Sequence, residues 1–158
     1  MKNGQKGLSL VEMIIAIAIM ALFLGITGTL IAQSIRLYSK QSLTVSLEDQ
    51  LRSVQDVMIR DLRPCNWVAA TSTSPKRLYF STTGTNFNQY YEWNGTVNTL
   101  YRKLNNGNND PIADNITNAS FRVNSITPST FQVDVELTAA LRDVTKTTSF
   151  SVNLRNYK

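Results

Sequence analysis

Few side chains in this chain can do acid–base or covalent chemistry, and the most conspicuous lies near one end. Glu12 is the only ionisable side chain between Lys6 and Arg36. It precedes a run from Met13 to Ile35 that carries no charge and is built mostly from Ile, Leu, Ala, Met and Phe. A carboxylate in hydrocarbon is costly unless it is paired or sits at an interface. Gly7 is the small residue best placed for proteolytic processing. A cut after it creates a free amine at Leu8, close along the chain to Glu12. In an uncut chain Lys6 is the available partner for Glu12. In a cut chain the partner is the Leu8 amine, of the same protomer or of a neighbour. Pairing of opposite charges between molecules in a low dielectric fixes register more dependably than it adds net energy. The chemistry on offer is therefore processing and charge registration.

Catalysis finds little support elsewhere. The chain has no histidine and a single cysteine, Cys65. That excludes Cys-His pairs, histidine-based triads and the common Cys/His zinc sites. No glycine-rich phosphate loop is present. Asp110 and Asp114, among Asn108, Asn109 and Asn115, are weak calcium candidates. They do not follow the EF-hand pattern, and a solvated polar loop is the preferred reading. No metal site and no cofactor is expected, and the chain reads as a non-enzyme. Cys65 cannot form an intrachain disulfide and is expected to be a small buried residue.

The element that must position Gly7, Leu8 and Glu12 is a long helix. Lys2 and Lys6 give the first seven residues a positive charge, which holds that end in the cytoplasm. The apolar run that follows is long enough to cross a bilayer, which takes roughly 20 residues. A secretory signal has a shorter apolar region, about 7–15 residues, with its cleavage site after it. Here the order is reversed, so the apolar segment is expected to be retained. Between Arg36 and Arg63 neither Gly nor Pro occurs, and Leu43, Leu47, Leu51, Val54, Met58 and Leu62 recur at helical spacing. That stripe is the face expected to pack on a globular head. Pro64 ends the helix. Gly25 and Gly28, within the apolar half, are consistent with close helix contact or local unwinding.

Beyond Pro64 the chain turns rich in Thr, Ser and Asn and reads as β-structure. Strands are expected at Arg77–Phe80, Asn88–Trp93, Thr96–Leu104, Ala119–Ile126, Phe131–Leu137 and Thr148–Leu154, with an Asn94-Gly95 hairpin turn, a polar loop over Asn105–Pro111 and a turn within Leu141–Lys146. The fold class is α+β: a long N-terminal helix, apolar then amphipathic, packed on a small, mostly antiparallel β-sheet domain. The expected divisions are 1–7 leader, 8–35 membrane or filament-core helix, 36–63 amphipathic half and 64–158 β-rich head.

Gly7 followed by Leu8-Ser9-Leu10-Val11-Glu12 and an apolar helix resembles the class III signal of type IV prepilins and type II secretion pseudopilins. The resemblance implies a pilin-like fold and cleavage after Gly7 by a prepilin peptidase that methylates the new amine. Leu8 replaces the usual phenylalanine. The glutamate of the family corresponds to Glu12, which sets register against the amine at Leu8 of an adjacent subunit. The helix exit Met58-Ile59-Arg60-Asp61-Leu62-Arg63, the following Tyr/Trp hairpin and Asp114-Asn115-Ile116 are similar to the larger minor pilins and the J-type minor pseudopilin. Major pilins of many bacteria carry a C-terminal disulfide that one cysteine cannot make. The resemblance thus implies a minor subunit that initiates or tips a filament. Pilus, secretion pseudopilus and competence system stay open, and a major pilin or an unprocessed anchored binding domain are the alternatives. The implied partners are the prepilin peptidase, other pilin or pseudopilin subunits and an inner-membrane assembly platform. The precursor would be a single-pass protein of the cytoplasmic membrane with its head outside, and the filament periplasmic or on the cell surface.

The formal charge is +5, of which Lys2 and Lys6 supply two, leaving +3 from Leu8 onward. Among the remaining cations, Lys76-Arg77, Arg102-Lys103, Arg142, Lys146, Arg155 and Lys158 are scattered rather than clustered. Tyr90, Tyr91, Trp93 and Tyr101 read as cross-strand pairs rather than as a stacking platform, and DNA binding is not expected.

Overall fold

The computed structural model describes residues 9–84, 88–105, 107–127 and 130–154. The chain falls into two compact units, Met1–Gln41 and Ser42–Lys158. One helix, α1 (Leu10–Leu62), begins in the first and ends in the second. Eight strands follow: β1 (Trp67–Ala70), β2 (Lys76–Ser81), β3 (Tyr90–Asn94), β4 (Thr99–Lys103), β5 (Asp110–Ala113), β6 (Ile116–Thr127), β7 (Thr130–Leu141) and β8 (Val144–Asn153). All pairings are antiparallel. The architecture is α+β, a long N-terminal helix whose more polar half packs on a small antiparallel β domain.

The strands form two sheets rather than one, ordered β1-β2-β3-β4-β5 and β6-β7-β8. In the second unit the helix residues Leu47, Leu51, Val54, Met58 and Leu62 are buried, and Leu43 is half-buried. They join one apolar cluster with Leu78, Phe80, Tyr91 and Leu100 of the first sheet and Val133, Val135, Leu137 and Val152 of the second. Burying one face of each element in a common core is what makes so small a domain stable. Met58 has no exposed surface. Met58→Ala is expected to cost about 3 kcal/mol through the cavity it leaves. Urea unfolding of the full chain in lipid nanodiscs, followed by the fluorescence of Trp67 and Trp93, checks this.

The helix ends where proline chemistry dictates. Arg63 N–H still reaches Ile59 C=O at 3.1 Å, then Cys65 N–H turns back to Leu62 C=O at 3.0 Å. Pro64 has no N–H to continue the ladder and disfavours helical geometry at Arg63.

Several sequence expectations need correcting. Asn94 pairs with Thr99, so the β3–β4 loop is Gly95–Asn98, and the returning strand starts at Thr99 rather than Thr96. The left-handed residue is Asn98, at φ 52°, not Gly95. Asn94 Oδ1 instead accepts the Thr96 N–H at 3.0 Å, an Asx-type turn. Glycine at 95 lets the Trp93 ring lie close over the turn, because a Cβ there would lie 3.0 Å from that ring. Asp110 and Pro111 belong to β5, not to a loop. Proline is tolerated there because β5 is an edge strand, with an irregular register opposite Leu100 and Tyr101. The β7–β8 turn is tighter than expected: Leu141 pairs with Val144, and Arg142 takes φ 55°.

Candidate functional site

The start of α1 is organised by two side chains. Ser9 N–H donates to Glu12 Oε2 at 2.9 Å, and Glu12 N–H donates to Ser9 Oγ at 3.3 Å. Met13 N–H closes the first turn onto Ser9 C=O at 3.2 Å. This is a reciprocal capping box with Ser9 as N-cap. A carboxylate in the first turn also suits the helix dipole. The carboxylate singled out in the sequence is therefore held by its own helix. Ser9 was missed as a positioning residue, although Ser-x-x-Glu before an apolar run is its sequence signal. Lys2, Lys6, Gly7 and Leu8 lie outside the described residues.

Within the first unit, α1 presents an apolar surface to its surroundings, with Leu10, Leu22, Phe23, Leu24 and Leu37 each more than 60% exposed. It is the one helix, among the described residues, long and apolar enough to cross a membrane. Its hydroxyls are turned inward on the backbone. Thr27 Oγ1 donates to Phe23 C=O at 2.8 Å, Thr29 to Ile26 C=O at 2.8 Å and Ser34 to Leu30 C=O at 2.9 Å. Such back-bonding satisfies polar groups where no water is at hand. Ala18, Ala21, Gly25, Gly28 and Ala32 recur at helical spacing on one side. A Cβ at Gly25 or Gly28 would meet nothing within 4 Å, so both glycines leave room for another helix to approach.

In the second unit, the helix exit is tied to the first sheet by Asp61. Tyr91 Oη donates to Asp61 Oδ2 at 2.6 Å, and Arg102 reaches the same oxygen through Nε at 2.8 Å and a terminal nitrogen at 2.7 Å. Burial and the bond to Asp61 push the Tyr91 hydroxyl well above the usual tyrosine range. Cys65 Sγ–H donates to Asp61 C=O at 3.1 Å, and burial, then the Asp61 charge, push this thiol up to about 12. The unfolded thiol titrates near 9.0. Between these values the unfolded chain has lost a proton that the native chain retains, so linkage favours unfolding as pH rises. Stability is expected to be intact below pH ~9 and to fall steadily above it. Denaturant titrations at pH 8, 9, 10 and 11 check this. The native thiol is also expected to resist iodoacetamide at pH 8 and to react once unfolded.

The remaining sequence candidates are placed as follows. Asp114 Oδ1 accepts from Thr99 Oγ1 at 3.1 Å, and its carbonyl accepts from Gln50 Nε2 at 3.1 Å. Asp110 lies exposed at the start of β5. Among the described residues no group of three or more His, Cys, Asp or Glu is placed to hold a metal. The four aromatics do not share a face. Tyr91 is buried, and Trp93 donates its Nε1–H to Ile116 C=O at 2.8 Å while Lys76 Nζ lies 4.9 Å from its ring. Tyr90 has Arg77 and Lys103 at 5.0 and 5.6 Å from its ring centre and Tyr79 edge-on at 5.5 Å. Arg155 and Lys158 lie outside the described residues.

The family model described as the prokaryotic N-terminal methylation motif matches residues 2–28. No curated protein and no solved structure matches the chain. The matched motif implies processing by a peptidase and pilin-type contacts between subunits. The chain thus carries a pilin-like N-terminal processing motif, a helix suited to anchoring a precursor in a membrane, and an antiparallel β domain packed on that helix, a combination consistent with the broad type IV pilin and pseudopilin superfamily.

Proposed function

We propose that the protein is a minor subunit of a type IV pilin-like filament. Its residues 1–7 are a leader removed by prepilin peptidase after Gly7, with methylation of the new amine at Leu8. Residues 8–35 span the membrane before assembly and line the filament core after it. Residues 36–63 carry the head, 64–158. Transfer from lipid to the packed core exchanges one apolar surrounding for another, so the helix need not meet water.

The observation that carries this reading is the coincidence of the methylation motif with an exposed apolar helix headed by a capped carboxylate. Glu12 is satisfied by Ser9 in the single chain. In a filament it exchanges that partner for the Leu8 amine of a neighbour, which sets the axial register of the subunits. The small-residue side of α1 allows the close approach this requires. The single cysteine, and with it the lack of a disulfide-closed loop, favours a minor subunit that starts or tips assembly over a major one.

Quantitative mass spectrometry of filaments sheared from native cells tests the minor role. The expected result is this chain at a few per cent or less of the dominant subunit. Its recovery as the dominant species would make it the major pilin instead.

A further inference from the structure

The outward face of the second sheet carries polar groups that the fold leaves unused. Across β6, β7 and β8 the paired rows are Asn124–Gln132–Asn153, Arg122–Asp134–Ser151, Ser120–Glu136–Ser149 and Asn118–Thr138–Thr147. Every member of these rows is polar, whereas the alternate residues Val133, Val135, Leu137 and Val152 are buried in the core. A cavity of about 350 Å³ opens on this face around Arg122, Asp134 and Glu136. That volume lies at the lower end of small-molecule sites, roughly 300–1,000 Å³.

The hydrogen bonding there is not that of a merely solvated sheet. Arg122 stands directly opposite Asp134, and opposite charges in that position ordinarily pair. Here Asp134 is claimed by others. Gln132 Nε2 donates to its Oδ1 at 2.8 Å, Ser151 Oγ donates to the same oxygen at 2.6 Å, and Asn124 Nδ2 donates to Oδ2. One carboxylate is thus fixed by side chains from all three strands. Arg122 and Glu136, both exposed, have no partner among the described residues. The hydroxyls of Ser120 and Ser149 complete the wall between them.

We propose that this face binds a neutral glycan, with one sugar unit seated in the cavity and the chain running off across the sheet. Vicinal hydroxyls both donate and accept, so they need a fixed carboxylate, a free carboxylate, a planar donor fork and short hydroxyls within one small area. Asp134, Glu136, Arg122 and the serines supply that set. One guanidinium against two carboxylates leaves the site net negative, which disfavours phosphate, sulfate and nucleic acid. The lining is polar apart from Val135, which is buried, and Phe150, which is half-buried, so the cavity offers too little apolar surface for a wholly greasy ligand. The cavity is open to solvent, as a polymer lying across it requires. The proposal stands apart from the filament reading, because no residue of α1 takes part.

The test uses the full chain in lipid nanodiscs free of glycosidic detergent. It is titrated with neutral oligosaccharides of hexose and N-acetylhexosamine units and, separately, with a zwitterionic dipeptide and with calcium. The proposal expects saturable binding of at least one neutral oligosaccharide below about 10 mM. Backbone amide shifts should be confined to β6–β8. Arg122→Ala and Glu136→Gln should each weaken that binding about tenfold. Both side chains are exposed, so both variants should keep the parent's unfolding midpoint, and Thr145→Ala, on the same face but outside the cavity, should bind as the parent does. Failure of every neutral oligosaccharide to saturate overturns the proposal. So does sugar binding indifferent to both variants, or binding of the dipeptide or calcium alone.

Discussion

Asp61→Ala is expected to destabilise the head by about 3 kcal/mol. The side chain is only 10% exposed and accepts from two groups that have no substitute for it. Its removal leaves the Arg102 guanidinium, itself 22% exposed, and the Tyr91 hydroxyl facing a void. An uncompensated buried charge costs more than the pair contributed when intact. Asp61→Asn keeps an acceptor for Tyr91 but loses the charge, so its loss should be smaller, about 1–2 kcal/mol. In the double variant Asp61→Ala/Arg102→Met the orphaned cation is gone, and the loss should be clearly less than the sum of the two single losses. Tryptophan-detected unfolding of the parent, the two Asp61 variants, Arg102→Met and the double variant decides this, and additive losses would show that Asp61 and Arg102 do not act as a pair.

Glu12→Ala is expected to leave membrane insertion intact and to lower recovery in filaments by about tenfold or more, equivalent to ~1.4 kcal/mol per register contact. Insertion depends on the apolar surface of α1, which the substitution extends. On the proposed reading, recovery depends on a negative charge at the helix start. Glu12→Gln separates the two tasks of this residue, because glutamine can still complete a capping box with Ser9 but cannot pair with an amine. If registration is the task, Glu12→Gln assembles as poorly as Glu12→Ala. If capping is the task, Glu12→Gln assembles as the parent does and Ser9→Ala fails.

The amphipathic half of α1 was legible because its information is local. Leu43 to Leu62 recur at helical spacing, and Pro64 marks the end within two residues of Leu62. The long strands β7 and β8 were visible through their alternation, but their ends were not. Arg142 occupies a left-handed position that no residue-type rule favours, and that position permits the tighter turn. Strand β1 has four residues and no alternation, so only its pairing with β2 defines it. Asn94-Gly95 misled because glycine answered to the neighbouring Trp93 ring rather than to backbone conformation. At the candidate site, Glu12 stood out as a lone charge, whereas its partner Ser9 is marked only by the short Ser-x-x-Glu spacing. Asp61 stood out at the helix exit, but Tyr91 and Arg102 lie far along the sequence and meet it only when the first sheet closes. The same holds for the glycan face, whose members come from three strands.

The central claim is that this chain is a processed filament subunit, and the mass of its amino-terminal peptide tests it most directly. Protein taken from native membranes and from sheared filaments, in cells with an active prepilin peptidase, is digested and its first peptide identified. The account predicts a peptide that begins at N-methylated Leu8, with residues 1–7 absent. A chain that still begins at Met1 or Lys2 in those cells would contradict it and leave a membrane-anchored β domain that never enters a filament.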